Sequence, residues 1–155
     1  ADIAELIKFG GLSNVKAPRI KRILQQLPEN IDGMKSLSFL ENLSLEDAKI
    51  WLTSLDGVGP KTAACVLLFS FGKPAMPVDT HVFRVSKRLH LIEQNVSVDS
   101  AHMLLEKLIN PEDVYKFHIS MIEHGRRVCH ARKPSCNRCS VKDLCPSKRS
   151  NENID

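Results

Sequence analysis

The chain has 155 residues, 43% of them hydrophobic and 26% charged, with 7 Gly and 8 Pro. That is ordinary globular composition, enough to build a core without disulfide staples, and it excludes collagen-like and wholly disordered chains. The longest uncharged stretch, residues 62–72, is far short of the roughly 18–20 apolar residues a membrane span needs, and the first residues lack the basic start and apolar run of a signal peptide, so an intracellular protein away from membranes is expected.

Apolar residues recur at helical spacing along most of the chain. Ile3, Leu6 and Ile7 predict a short first helix that Gly10-Gly11 stops. Ala17, Ile20, Ile23, Leu24 and Leu27 form one face of a second helix, ended by Pro28, and residues 36–42 suit a single turn. Ser44 can cap a helix over 45–55, with Leu45, Ala48, Leu52 and Leu55 on one side. Pro60 suits the first position of a strongly apolar helix at about 60–71. After the proline-bracketed segment Lys73–Pro77, Asp79 or Thr80 can cap a helix reaching about 90. Helices near 99–109 and 112–127 follow, the second entered through Pro111. Val78 to Val85 reads V-D-T-H-V-F-R-V, with helical rather than alternating spacing, and no strand is expected. The fold class is all-α. The polar ending 150–155 is expected to fray.

The net charge of +4 is unevenly spread. Between Arg126 and Arg149 stand eight Lys or Arg against the single Asp143, a local +7, leaving −3 for the remainder. A basic block on a near-neutral body suggests a polyanion such as nucleic acid as partner.

Leu55-Asp56-Gly57-Val58-Gly59-Pro60-Lys61-Thr62 joins two helices by a tight turn. Gly57 and Gly59 can take positive φ and lack a β-carbon, so another backbone can come close. The turn opens onto a helix N-terminus, where free N–H groups and the dipole favour a phosphate. Gly57, Val58, Gly59 and Thr62 are therefore candidates for holding a nucleic-acid backbone without reading its bases. Lys61 lies in the first turn of that helix, where the positive dipole end favours the uncharged amine that a nucleophile must be. Asp79, at its own helix start, is either a structural cap or an ionised carboxylate available to a sugar-like cation or an amine proton. His81 suits packing or capping.

Cys129, Cys136, Cys139 and Cys145 are spaced C-x6-C-x2-C-x5-C in a Pro-, Arg- and Lys-rich stretch. Four close thiols in an intracellular chain point to metal rather than disulfides, and on chemistry alone they suit Zn²⁺ or a [4Fe–4S] cluster. A loop pinned at both ends by ligands would present Arg132 and Lys133 outward to phosphate. Cys65, among alanines, valine and leucines, reads as a small buried hydrophobe, and the six histidines share no ligand spacing.

Three stretches, LDGVGPKTA at 55–63, PVDTHVFRV at 77–85 and HGRRVCHARKPSCNRCSVKDLC at 124–145, closely resemble the endonuclease III family, the iron–sulfur branch of the helix-hairpin-helix DNA glycosylases. The resemblance implies two helical lobes with DNA between them, a partial helical barrel carrying the hairpin over 1–74 and a cluster lobe over 75–155. It assigns Lys61 as the nucleophile at the anomeric carbon of a damaged nucleoside, Asp79 as the assisting carboxylate, and the four cysteines as ligands of a [4Fe–4S] cluster that shapes a DNA-binding loop. The base must be everted first, because its glycosidic carbon is inaccessible in a stacked duplex. The implied activity is base excision with abasic-site lyase chemistry on double-stranded DNA, chiefly at oxidised pyrimidines; the adenine-excising relatives lack a lysine at this position. Ala1 aligns partway into the family's barrel, so helices supplying part of the base pocket are expected to be missing and apolar surface to be exposed. A non-catalytic, cluster-stabilised DNA-binding module is the alternative.

Overall fold

The computed structural model describes residues 2–29 and 35–151, with backbone only for 149–151. The chain forms two compact units, Ala1–Gly59 and Pro60–Asp155.

In the first unit, α1 (Ile3–Leu6) is capped by Asp2, whose carboxylate accepts from the Ala4 N–H at 3.0 Å. A 3-10 turn over Lys8–Gly10 ends at Gly11, with φ 66°. α2 (Ser13–Gln26) starts four residues before the expected face and accommodates Pro18 inside it. Only Ala17 and Leu27 of that face are buried, and Leu24 is exposed together with Leu6, Phe9, Leu12 and Val15. The expected turn near 36–42 is a 3-10 turn, Ser38–Asn42. α3 (Leu45–Thr53) has the expected Ser44 cap, which accepts from the Asp47 N–H at 3.1 Å and donates back to the Asp47 carboxylate at 2.6 Å. Leu40, Ala48, Leu52 and Leu55 are buried, and the Phe39 ring meets Trp51 edge-on at 4.7 Å.

In the second unit, α4 (Pro60–Phe71) leads into an extended segment that contains Lys73–Pro77, and α5 (Thr80–Arg88) follows. α6 (Val98–Leu108) is capped by Ser97, and Pro111–Asp113 forms a 3-10 turn before α7 (Val114–Arg127). Two further 3-10 turns, Cys136–Arg138 and Lys142–Leu144, and the short α8 (Pro146–Asn151) complete it. Of the ending expected to fray, Ser150 and Asn151 close α8, and 152–155 lie outside the described residues. Met76, Val78, Val82, Val85, Leu105 and Val114 are almost wholly buried in one apolar core, each worth about 1.5–3 kcal/mol of transfer free energy. α5 packs along α7. At their contact a Cβ on Gly125 would lie 2.8 Å from the His81 Cβ, so glycine there allows the helices to meet. The described residues are all-α, as expected: they contain no strand, only an isolated bridge between Glu29 and Lys35.

Candidate active site and cysteine loop

Lys61, in the first turn of α4, is exposed and shares a cavity of about 300 Å³ with Asp79, Cys65, Phe69, His118, Ile119, Ile122, Glu123 and Arg126. On α4 the spacing of Lys61, Cys65 and Phe69 puts one helix face into this cavity. Cys65 is thus only partly buried, and the expectation of a core hydrophobe is corrected: its apolar neighbours point elsewhere around the helix. Burial pushes its thiol up, Lys61 opposes this and Asp79 adds to it, so the sulfur stays protonated near neutral pH.

Asp79 is both cap and cavity residue. Its Oδ1 accepts from the His81 N–H at 2.9 Å and the Val82 N–H at 2.7 Å, which seals the start of α5. Among the described residues nothing bonds its Oδ2, and no ion pair joins it to Lys61. Capping occupies one carboxylate oxygen and leaves the other for a ligand. His81, as expected, packs: its Nδ1 lies 3.1 Å from Arg84 Nη2.

His118 was missed by sequence reasoning. It is 2% exposed, its Nδ1 lies 2.9 Å from the Pro77 carbonyl oxygen, and its ring meets Phe69 edge-on at 5.6 Å. Burial pushes this imidazole down, against the opposing pull of the Pro77 carbonyl and Asp79, so the ring is neutral near pH 7. The cavity therefore joins an amine, a carboxylate and a neutral imidazole over a partly apolar wall, a set able to support nucleophilic amine chemistry.

In the turn before α4, Gly57 has φ 78° and Val58 donates back to the Leu55 carbonyl at 3.1 Å. Gly59, which could take a positive φ, does not, and a Cβ there would meet nothing within 4 Å. Gly57 is also closed over by Arg19, whose Cδ lies 2.9 Å from where a Cβ would stand.

The four loop cysteines ring one cavity walled by Val85, Leu89, Val128, Pro134 and Val141. Among the described residues no three His, Cys, Asp or Glu side chains close on a single-ion site. Four soft sulfurs spread around an apolar space, one of them receiving a 3.2 Å hydrogen bond from Arg88 Nη1, fit a cluster of several irons. Burial first, and then Cys129, Cys139 and Cys145, push the Cys136 thiol up, a mutual repulsion that a cationic centre relieves.

Two arginines that the sequence left unread hold this loop. Arg84 Nη2 donates to the Gly125 carbonyl at 2.9 Å and to the Cys129 carbonyl at 3.0 Å. One turn on, Arg88 donates to the His130 carbonyl at 2.6 Å and the Ala131 carbonyl at 3.0 Å. Its own carbonyl accepts from Ser147 Oγ at 2.9 Å. Arg132 and Lys133 follow directly and are exposed, as expected.

Residues 1–111 match the family model described as HhH-GPD superfamily base excision DNA repair protein, and residues 129–145 match the iron–sulfur binding domain of endonuclease III. Endonuclease III of Rickettsia prowazekii is 40% identical over 92% of this chain and 62% of its own length. That of Thermotoga maritima is 38% identical over 93% of this chain and 62% of its own length. A trapped endonuclease III–DNA covalent intermediate superposes with TM-score 0.75 at 33% identity, covering 97% of this chain and 66% of that one. A thermostable thymine-DNA glycosylase superposes with TM-score 0.76 at 26% identity, covering 96% of this chain and 65% of that one. The chain spans about 62% of the length of these curated relatives. Among the described residues no helix is long and apolar enough to cross a membrane.

Proposed function

Because the chain belongs to the HhH-GPD superfamily of base excision DNA repair proteins and carries an endonuclease III iron–sulfur domain with a [4Fe–4S] cofactor, we propose that it is a DNA glycosylase with abasic-site lyase activity, acting on double-stranded DNA at damaged bases, chiefly oxidised pyrimidines. The observation that carries this reading is Lys61 and Asp79 lining one cavity with no ion pair between them.

In the proposed reaction the neutral Lys61 amine attacks C1′ of an everted nucleotide. The C1′–N bond breaks, and the base leaves with the bonding electrons and takes up a proton. Asp79 Oδ2, ionised, stabilises the positive charge that builds on the sugar and receives a proton from the attacking nitrogen. The C1′–O4′ bond then opens, with O4′ leaving as a hydroxyl after taking up a proton, and the iminium so formed acidifies C2′; loss of that proton expels the 3′ phosphate, and water then frees Lys61. Cys65 remains a thiol and His118 a neutral ring, so neither adds charge beside the developing cation.

Cys129, Cys136, Cys139 and Cys145 would hold the cluster, which supplies a rigid support for the loop bearing Arg132 and Lys133. Those two side chains and the Gly57–Thr62 backbone would grip phosphates. Such work is done where the genome is, inside the cell. Borohydride reduction with abasic duplex should trap a covalent adduct, and Lys61→Gln should abolish it. Duplex binding without trapping would instead favour a non-catalytic, cluster-stabilised DNA-binding module.

A further inference from the structure

The segment that delivers Asp79 has its backbone held by side chains. Glu106 Oε1 accepts from the Met76 N–H at 2.8 Å, and His102 Nδ1 lies 2.7 Å from the Met76 carbonyl oxygen. His118 Nδ1 lies 2.9 Å from the next carbonyl, that of Pro77. A carbonyl only accepts, so both rings carry their proton on Nδ1. His102 and Glu106 come from α6, whereas His118 comes from α7 and is the brace that also lines the cavity. Between the Pro77 carbonyl and the carboxylate stand only the wholly buried Val78 and the Asp79 backbone itself.

We propose that His118 is a positioning residue for Asp79: by donating its Nδ1–H to the Pro77 carbonyl it fixes the backbone two residues ahead of the carboxylate, and so the direction in which Oδ2 enters the cavity. The idea rests on the role proposed above for Asp79. A buried carbonyl stripped of its donor seeks another partner, and the strap shifts to find one. Because Oδ1 is tied to His81 and Val82, such a shift turns the carboxylate as a body and carries Oδ2 away from the reacting carbon. A misplacement of about 1 Å is enough to cost on the order of 100-fold in rate.

Three variants test this. His118→Leu removes the donor, His118→Asn keeps an N–H close to the Nδ1 position, and His118→Gln moves it away. Two readouts apply. The first is amide exchange at His81 and Val82, which reports Asp79 geometry without any substrate; the second is the single-turnover rate of adduct formation on abasic duplex. His118→Leu should speed exchange at both amides and slow trapping, each by at least about tenfold, with duplex affinity held within about threefold. His118→Asn should restore most of both, and His118→Gln should not. In an Asp79→Asn background, His118→Leu should slow trapping no further, since its effect passes through that carboxylate. Unchanged exchange, rescue by Gln equal to Asn, or an additive loss in the Asp79→Asn background would overturn the assignment. Should His118→Leu fail to fold, the Asn and Gln pair decides alone. Should the unaltered protein form no adduct at all, the proposed lyase activity falls, while the exchange comparison still decides the role of His118.

Discussion

Gly125 sits inside α7, where helix propensity alone says that alanine should stabilise the protein by about 1 kcal/mol. The packing says the opposite. An added Cβ would lie 2.8 Å from the His81 Cβ, 3.1 Å from His81 Nδ1 and 3.3 Å from Arg84 Nη2. The first of these neighbours is attached directly to the α5 backbone, so it yields only if α5 moves away from α7. Overpacking of this kind costs about 1–3 kcal/mol. The same displacement strains the Arg84 hydrogen bonds to the Gly125 and Cys129 carbonyls, worth about 0.5–1.5 kcal/mol each and more for a charged donor. The losses exceed the propensity gain, and Gly125→Ala should destabilise by about 2 kcal/mol net. In a chain of this size that lowers the thermal midpoint by roughly 4–8 °C. Thermal unfolding of the cluster-loaded protein, followed by circular dichroism, measures it. A midpoint at or above that of the unaltered protein would refute the packing argument, because propensity would then have won.

The remaining expectations are narrower. Gly59→Ala should leave stability within about 0.5 kcal/mol, since nothing stands near the new Cβ, yet weaken duplex binding if a DNA backbone approaches there; unchanged affinity in a binding titration would remove Gly59 from the interface. Arg132→Gln and Lys133→Gln should each reduce the slope of log affinity against log salt by about 1, with cluster absorbance unaltered. His118, held down by burial, binds its proton less readily folded than unfolded; its stabilising contribution is therefore present above the ordinary histidine value of about 6.5 and is lost as pH falls below it. Urea midpoints between pH 7.5 and 5 should fall more steeply for the unaltered protein than for His118→Asn, and parallel curves would contradict this. Arg88→Ala removes donors from Cys129 Sγ and the His130 and Ala131 carbonyls, and should speed loss of the iron absorbance under a chelator severalfold.

What could be read from the residues, and what could not, follows from the range of the interactions. Helix starts are local: Ser44 and Asp79 each accept from an N–H two or three residues on, and Pro60 needs no partner, so these boundaries were legible. The helix at 99–109 was placed one residue late because its cap, Ser97, is followed by another cap-like pair, Asp99 and Ser100. The four-cysteine spacing was legible for the same reason of locality. Gly57 takes the positive φ open to both glycines of the turn and Gly59 does not, because residue identity permits a positive φ without requiring it. Cys65 was misjudged because hydropathy averages around a helix, whereas the Lys61, Cys65, Phe69 register was already in the sequence and names the face. His118 and the arginines of α5 could not be read at all. Their partners are backbone carbonyls about forty residues away, at Pro77, Gly125, Cys129 and His130, and a carbonyl has no signature in sequence.

Those unread contacts show why the carboxylate and the cysteine loop belong to one arrangement. α5 is nine residues long, about 13 Å from end to end. Asp79 forms its N-terminal cap on the cavity that holds Lys61, and Arg84 and Arg88, in its second and third turns, hold the backbone at Cys129, His130 and Ala131. A helix packed against α7 through Gly125 has no room to tilt without opening that contact. The sulfur-lined loop that presents Arg132 and Lys133 and the oxygen proposed to face the sugar are thus fixed to opposite ends of one short rod. In the proposed reaction, phosphate grip and carboxylate aim are set together: a change that slackens the loop at Cys129 must be absorbed either by the arginine hydrogen bonds or by the cap at Asp79. Of the two, the cap is held by a single carboxylate oxygen, and the strap leading into it depends on the His118 hydrogen bond to Pro77.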